Sequence, residues 1–212
     1  MPSLEPAQLD AHDPHAVEAH VDAVAKKAGS IDICFNAVGL NDVQDIPLVE
    51  MSLEDFARPV EVATRAQFLT TRAAARHMIR QGSGVVMTIT ATTARLSIPE
   101  VGGTGVAFDA TESQCRQWAC ELGRHGVRVV WLQTTGLPEA LSDTVELFPD
   151  YGTGSGGMTR EEVIAWLRRS THLDRLTSLA EVGNAAAFMA SDLASAMTAT
   201  SANITCGQVP AR

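Results

Sequence analysis

The sequence is poor in lysine and tyrosine. Its sixteen Lys+Arg residues include only two lysines, the adjacent Lys26 and Lys27, and its one tyrosine is Tyr151. A tyrosine acid with a lysine close by in sequence is therefore excluded. Positive charge is also short. Asp+Glu outnumber Lys+Arg by 25 to 16, for a formal net charge of −9. So acidic a surface repels nucleic acid and anionic lipid, and neither is expected as a partner. No apolar run approaches the ~18 residues of a membrane span. The opening MPSLEPAQLD lacks a basic segment followed by an apolar one, so no secretory signal is expected. Cys34, Cys115, Cys120 and Cys206 form no C-x-x-C pair. They read as reduced, buried thiols of a cytoplasmic protein. No glycine-rich turn joins a strand to a helix. The one glycine-rich run, YGTGSGG (151–157), comes late and reads as part of a flexible, lid-like loop over 149–160.

What is present suits one domain, 1–212, with a sizeable core, the hydrophobic fraction being 45%. Asp13-Pro14 predicts an N-cap and first helical residue, with Val17, Val21, Val24 and Ala28 as the apolar stripe and Gly29 as the stop. IDICFNAVG (31–39), GVVMTITAT (84–92), VRVVWLQ (127–133) and SANIT (201–205) read as buried strands. Between them lie a long helix from Ser52 to about Gln81 and another over 105–123, its inward stripe Thr111, Cys115, Trp118 and Leu122. Ser178 and Glu181 form a capping box for a helix reaching about Ser191. Alternating buried strands and amphipathic helices predict a parallel α/β sheet covered on both faces.

Nearly the whole chain resembles the short-chain dehydrogenase/reductase family. The resemblance rests on LDAHD (9–13), IDICFNAVG, FARPVEVATRAQFLTTRAAARHM (56–78), WACELGRHGVRVV (118–130) and DRLTSLAEVGNAAAFMASDLASAMTATSANITCG (174–207), taken in order. It implies a Rossmann-like three-layer α/β/α sandwich with a mostly parallel sheet, whose first βαβ unit and glycine-rich phosphate loop are missing here. Residues 1–10 then lose their sheet neighbour. It implies NAD(P) as cofactor, with Asp10, Asn36 and Gly39 as binding positions, although the absent cradle argues against tight binding. It implies a substrate cleft around Thr90, Thr92, Glu100, Thr104 and Gly136. It also implies a homodimer or homotetramer through the helices around 53–81 and 105–123. The small residues Ala63, Ala66, Ala73, Ala74, Ala75, Ala107 and Ala110 fit close approach of those helices.

The family's catalytic tetrad falls on Ala63, Ala91, Thr104 and Phe108, in place of its asparagine, serine, tyrosine and lysine. A threonine hydroxyl is a weak acid, and Phe108 carries no charge to tune it. This predicts a family member that has lost conventional hydride transfer and serves as a non-redox binding or assembly protein, with a small molecule as possible ligand. The alternatives are an atypical oxidoreductase and an acid–base enzyme that reuses the old cleft. For the latter, Asp109 and Glu112, spaced to share a helix face, are the candidates; otherwise they are an acidic first turn suited to the helix dipole. His12, His15 and His20 with Asp10 and Asp13 lack the spacing of a metal site, so no metal is expected. Phe108 and Trp118 read as core.

Overall fold

A computed structural model describes residues 5–141 and 159–209. The lid expectation at 149–158 and Tyr151 lie outside the described residues. Residues 5–10 run as coil, with Lys27 paired to Glu5 and Leu9 packed on Val17 and Leu69.

Helix α1 (Pro14–Ala28) starts where its cap dictates: the Asp13 carboxylate accepts from the backbone N–H groups of His15 and Ala16. Gly29, in the left-handed region, ends it. Strand β1 (Ile33–Asn36) leads through a long loop to α2 (Leu53–Gln81), capped by Ser52. Strand β2 (Gly84–Ala91) and a 3-10 turn (Thr92–Ala94) lead to α3 (Thr104–Leu122) and then to β3 (Val127–Thr134). Helix α4 (Arg160–Arg169) was not foreseen, although Thr159 and Glu162 form a capping box there. The glycine run beside that signal had absorbed it into the lid, whose last residue is thus the first of α4. Helix α5 (Leu179–Ala190) starts with the predicted Ser178/Glu181 box, and β4 (Thr200–Ile204) closes the sheet.

The described sheet is parallel throughout, in the order β1-β2-β3-β4. The pleat sends alternate side chains to opposite faces. Val86, Val129 and Trp131 meet Ala74, Met78, Cys115, Ala119 and Leu122 of α2 and α3. Val85, Met87, Val130 and Leu132 meet Val182 and Met189 of α5. Helices on both faces give the expected Rossmann-like sandwich.

Several expectations need correction. β1 is not a buried strand. It lies at the sheet edge, and Ile33 (50% exposed) and Phe35 (42%) are on a side that no described helix covers. Val24 and Ala28 are likewise exposed, because α1 packs mainly on α2 and turns Val17, Val21 and Ala25 inward. The cysteines are free but not all buried: Cys115 is, Cys34 and Cys206 are half-buried, and Cys120 is exposed. Burial pushes the Cys34 thiol up to about 11 and that of Cys115 to about 12.

The seat of α3 is set by close approach. A Cβ on Gly103 would lie 2.1 Å from the Phe56 carbonyl oxygen and 2.9 Å from Pro59 Cγ; one on Gly105 would lie 2.9 Å from the Thr93 carbonyl oxygen. The start of α3 is thus pressed onto both α2 and the 92–94 turn. Gly103→Ala should therefore destabilise the fold by about 1–3 kcal/mol. Gly123→Ala meets nothing within 4 Å at a helical φ of −55, and should be neutral or stabilise by about 0.4–1 kcal/mol. Urea unfolding of both variants checks this contrast; a smaller loss for Gly103→Ala than for Gly123→Ala would refute the close-approach account.

Candidate active site

In a parallel sheet, ligands bind beyond the carboxyl ends of the strands. Here that end is formed by Asn36, Ala91, Thr134 and the start of α3. Thr104, the first residue of α3, is buried, and its hydroxyl donates to Asp42 Oδ2 at 2.6 Å. A hydroxyl has one proton, so this bond commits it. Asp42 comes from the loop after β1 and also accepts from Gln44 Nε2 at 2.6 Å. One turn along α3, Phe108 packs with Leu40, Val60, Ala63 and Ala107 in a closed apolar cluster.

Below this plug lies a cavity of about 20 Å³ between Asn36, Gln67, Thr88 and Thr111. Gln67 Oε1 and Thr111 Oγ1 are buried without a hydrogen-bond partner there. That space suits one water with polar neighbours. Asn36 is itself engaged: its Oδ1 accepts from Thr70 Oγ1 at 2.6 Å, and its Nδ2 donates to Thr71 Oγ1 at 3.4 Å.

One turn further on, Glu112 is fully buried. This corrects the expectation of an acidic first turn: α3 has no acid in its first turn, and Asp109 is exposed while Glu112 faces the sheet. The two do not share a face. Glu112 Oε1 accepts from Thr90 Oγ1 (3.1 Å) and Gln133 Nε2 (3.2 Å); Oε2 accepts from Arg95 Nη2 (2.7 Å). Thr90 and Gln133 are register partners one residue from the ends of β2 and β3. Arg95, which the sequence reading passed over, is 46% exposed at the side chain.

The other predicted positions are spread more widely. Asp10 is exposed and accepts from the backbone N–H of His12, a bond that holds its carboxyl below the ordinary range. Gly39 is exposed and open to solvent. Thr92 is buried at the start of the 3-10 turn. The Glu100 carbonyl accepts from Asp45 N at 2.8 Å. Gly136 allows Leu167 of α4 to approach, since a Cβ there would lie 2.5 Å from Leu167 Cδ1. The small alanines proposed for intersubunit packing are used within the chain: Ala63, Ala66, Ala73, Ala74, Ala75 and Ala107 are all buried in the monomer. Among the described residues no group of His, Cys, Asp and Glu is disposed to hold a metal. No helix among them is long and apolar enough to cross a membrane. A cavity of about 480 Å³ lies beside β4 among His172, Arg175, Thr177, Glu181 and Cys206. No sequence motif marks it. Its Arg175 is already engaged by Glu181 at 2.8 Å.

The family pattern described as "Enoyl-(Acyl carrier protein) reductase" matches residues 3–208. The chain is a short-chain dehydrogenase/reductase family member. It is 26% identical over 191 residues to enoyl-[acyl-carrier-protein] reductase [NADH] 1 of Rhizobium meliloti, covering 89% of this chain and 65% of that protein. It is 30% identical over 188 residues to gluconate 5-dehydrogenase of Gluconobacter oxydans, covering 87% and 67%. It thus spans about two thirds of the length of these relatives. Among solved structures, sorbitol-6-phosphate 2-dehydrogenase SrlD from Erwinia amylovora matches with a TM-score of 0.84 at 28% identity, covering 96% of this chain and 78% of that one. NAD+-bound xylitol dehydrogenase matches the fold equally well, with a TM-score of 0.84 at 23% identity, covering 94% and 77%. The family is thus one of NAD(P)-linked oxidoreductases.

The cost of the Glu112–Arg95 pair should be asymmetric. Arg95→Ala strands a carboxylate with no exposure and should cost about 3 kcal/mol, the lower end for a broken buried pair. Glu112→Gln leaves an amide that still accepts from Thr90, beside a guanidinium that can turn to water, and should cost about 1–2 kcal/mol. Denaturant unfolding of the two variants checks the order; the reverse order would mean that Arg95 is the better-buried partner in solution.

Proposed function

We propose that this family member works as a non-redox binding protein that takes a small molecule at the carboxyl end of its sheet. The observation that carries the reading is the state of the helix that should deliver the proton. At the position matched to the family tyrosine, the Thr104 hydroxyl spends its one hydrogen-bond donor on Asp42. At the position matched to the lysine, Phe108 is packed against Ala63, which occupies the asparagine position. The only lysines are in the last turn of α1, just before β1 and so at the opposite end of the sheet, with Lys27 held by Glu5. Reduction of a carbonyl leaves an alkoxide that must be protonated, and a positioned acid contributes about 10²–10⁴-fold in rate. The residues matched to that role supply none.

Gluconate and sorbitol 6-phosphate, in the names of two relatives, support a small molecule as the ligand class, while others are named for an enoyl group on acyl carrier protein. The outer side of α2 and α3 supports a homodimer or homotetramer. Phe68 and Val106 are exposed there, Arg72 lies 5.4 Å over the Phe68 ring, and Phe68 rests on the partly buried Trp118 with ring centroids 5.7 Å apart. The reading places the protein in the cytoplasm, with neither nucleic acid nor membrane as a partner.

A second reading, an atypical oxidoreductase, is favoured by the relatives themselves, which are dehydrogenases and reductases, some solved with NAD or NADP bound. Titration with NADPH followed by fluorescence, paired with an assay for alcohol–carbonyl interconversion, separates the two. The binding reading expects no nicotinamide absorbance change at any NADPH concentration. Turnover that survives purification and is lost in Asp42→Asn or Thr104→Ala would establish the oxidoreductase instead. Asp109→Asn should leave ligand binding intact.

A further inference from the structure

We propose that Arg95, held in place by Glu112, anchors the carboxylate of a small acidic ligand; the proposal rests on the reading of the strand ends as a small-molecule site. Position 112 lies between a helix and a sheet, where an apolar residue of similar volume would be neutral or more stable than a buried ion pair. A charge kept there has a structural or a functional reason, and the geometry indicates what it does.

Glu112 spends both carboxylate oxygens on fixed partners. Oε1 is held by Thr90 and Gln133, which are paired across the ends of β2 and β3. Oε2 is left to take one nitrogen, Nη2, of Arg95. The guanidinium is planar and has five N–H donors, so one anchored nitrogen restricts the position of the others. Nε and Nη1 of Arg95 have no acceptor among the described residues, and the side chain is 46% exposed. Arg95 follows directly on the turn that leaves β2, with its backbone N–H on the Thr92 carbonyl at 2.8 Å. The same turn touches the start of α3 at Gly105. A partly immobilised guanidinium with free donors therefore sits at the carboxyl end of the sheet, beside Ala91 and near Thr104.

The chemistry favours a carboxylate. Two parallel N–H groups of a guanidinium match the two oxygens of a planar carboxylate. The Glu112–Arg95 pair is neutral, so a monoanion is better matched to it than a phosphate dianion, and the chain has no lysine at this end. In these terms Glu112 is a positioning residue and Arg95 a binding residue.

The test is a heteronuclear NMR titration of the arginine Nε–H resonances of the whole chain, with Arg95 assigned by its loss in Arg95→Gln. The probes are acetate, acetamide as its neutral counterpart, and chloride at matched ionic strength. The expected result is a saturable shift of the Arg95 resonance with acetate alone. Glu112→Gln should weaken the acetate response about three- to tenfold, an effect on affinity that a merely stabilising role would not produce in a variant still folded at the titration temperature. No saturable Arg95 shift in the wild-type chain, or an equal response to chloride, overturns the proposal. Acetate binding together with nicotinamide-linked turnover would leave the anchor standing and remove only the non-redox reading.

Discussion

The seat of α3 on the sheet is the constraint on which the rest of the molecule depends. Gly103 and Gly105 let its first residues touch the Phe56 carbonyl and the 92–94 turn, and that contact fixes the rotation of the whole helix. Residues four apart then stack along one side. Thr104 meets Asp42, Phe108 meets Ala63 and Leu40, Glu112 meets Thr90 and Gln133, and below them Cys115, Ala119 and Leu122 meet Val129 and Trp131. Rotating the helix by one residue would drive Glu112 out of its donors and leave Thr90 and Gln133 unpaired in the core, at about 1–3 kcal/mol for each such group.

The face of the sheet under α2 and α3 is layered. Its lower half is apolar, around Val86, Val129 and Trp131. Its upper half is polar: Thr88 donates to the Asn36 carbonyl at 3.1 Å, Asn36 engages Thr70 and Thr71, and Thr90 and Gln133 engage Glu112. Each such bond adds only about 1 kcal/mol net, but each leaves a costly orphan if its partner is lost. The polar layer therefore specifies register more than it adds stability. It ties the strand ends to the helices that frame the site. Thr104 and Phe108 close the top of this layer, one with a short polar bond and the other with an apolar lid over Gln67 and Thr111.

The elements were legible where their signals are local. Asp13-Pro14, Ser52, and Ser178 with Glu181 fix helix starts within a few residues, and each is in place. The strands followed from apolar, β-branched runs. What could not be read depends on residues distant in sequence or on the presence of a neighbour. Glu112 looked like an exposed acid because its three partners lie 17, 21 and 22 residues away in the chain. Ile33 and Phe35 looked buried because their composition suits a central strand, while their exposure depends on what stands beside β1. The alanines of α2 suggested a surface for a second subunit; they pack instead within their own chain, Ala63 against α3, Ala73 against α1, and Ala74 and Ala75 toward the sheet.

Sequences usually break local packing rules where function requires it. Thr104, Phe108 and Ala63 do not break them. Phe108 and Ala63 form ordinary apolar packing, and Thr104 forms an ordinary hydrogen bond. The broken rule lies one turn along α3, at a carboxylate with no solvent exposure in a position that suits leucine. An ion pair there adds little stability over an apolar pair, but it holds a guanidinium still at the edge of solvent. If selection retained strain or cost anywhere in this molecule, the Glu112–Arg95 pair is where it is visible, and the function of the site should be sought in what that guanidinium binds.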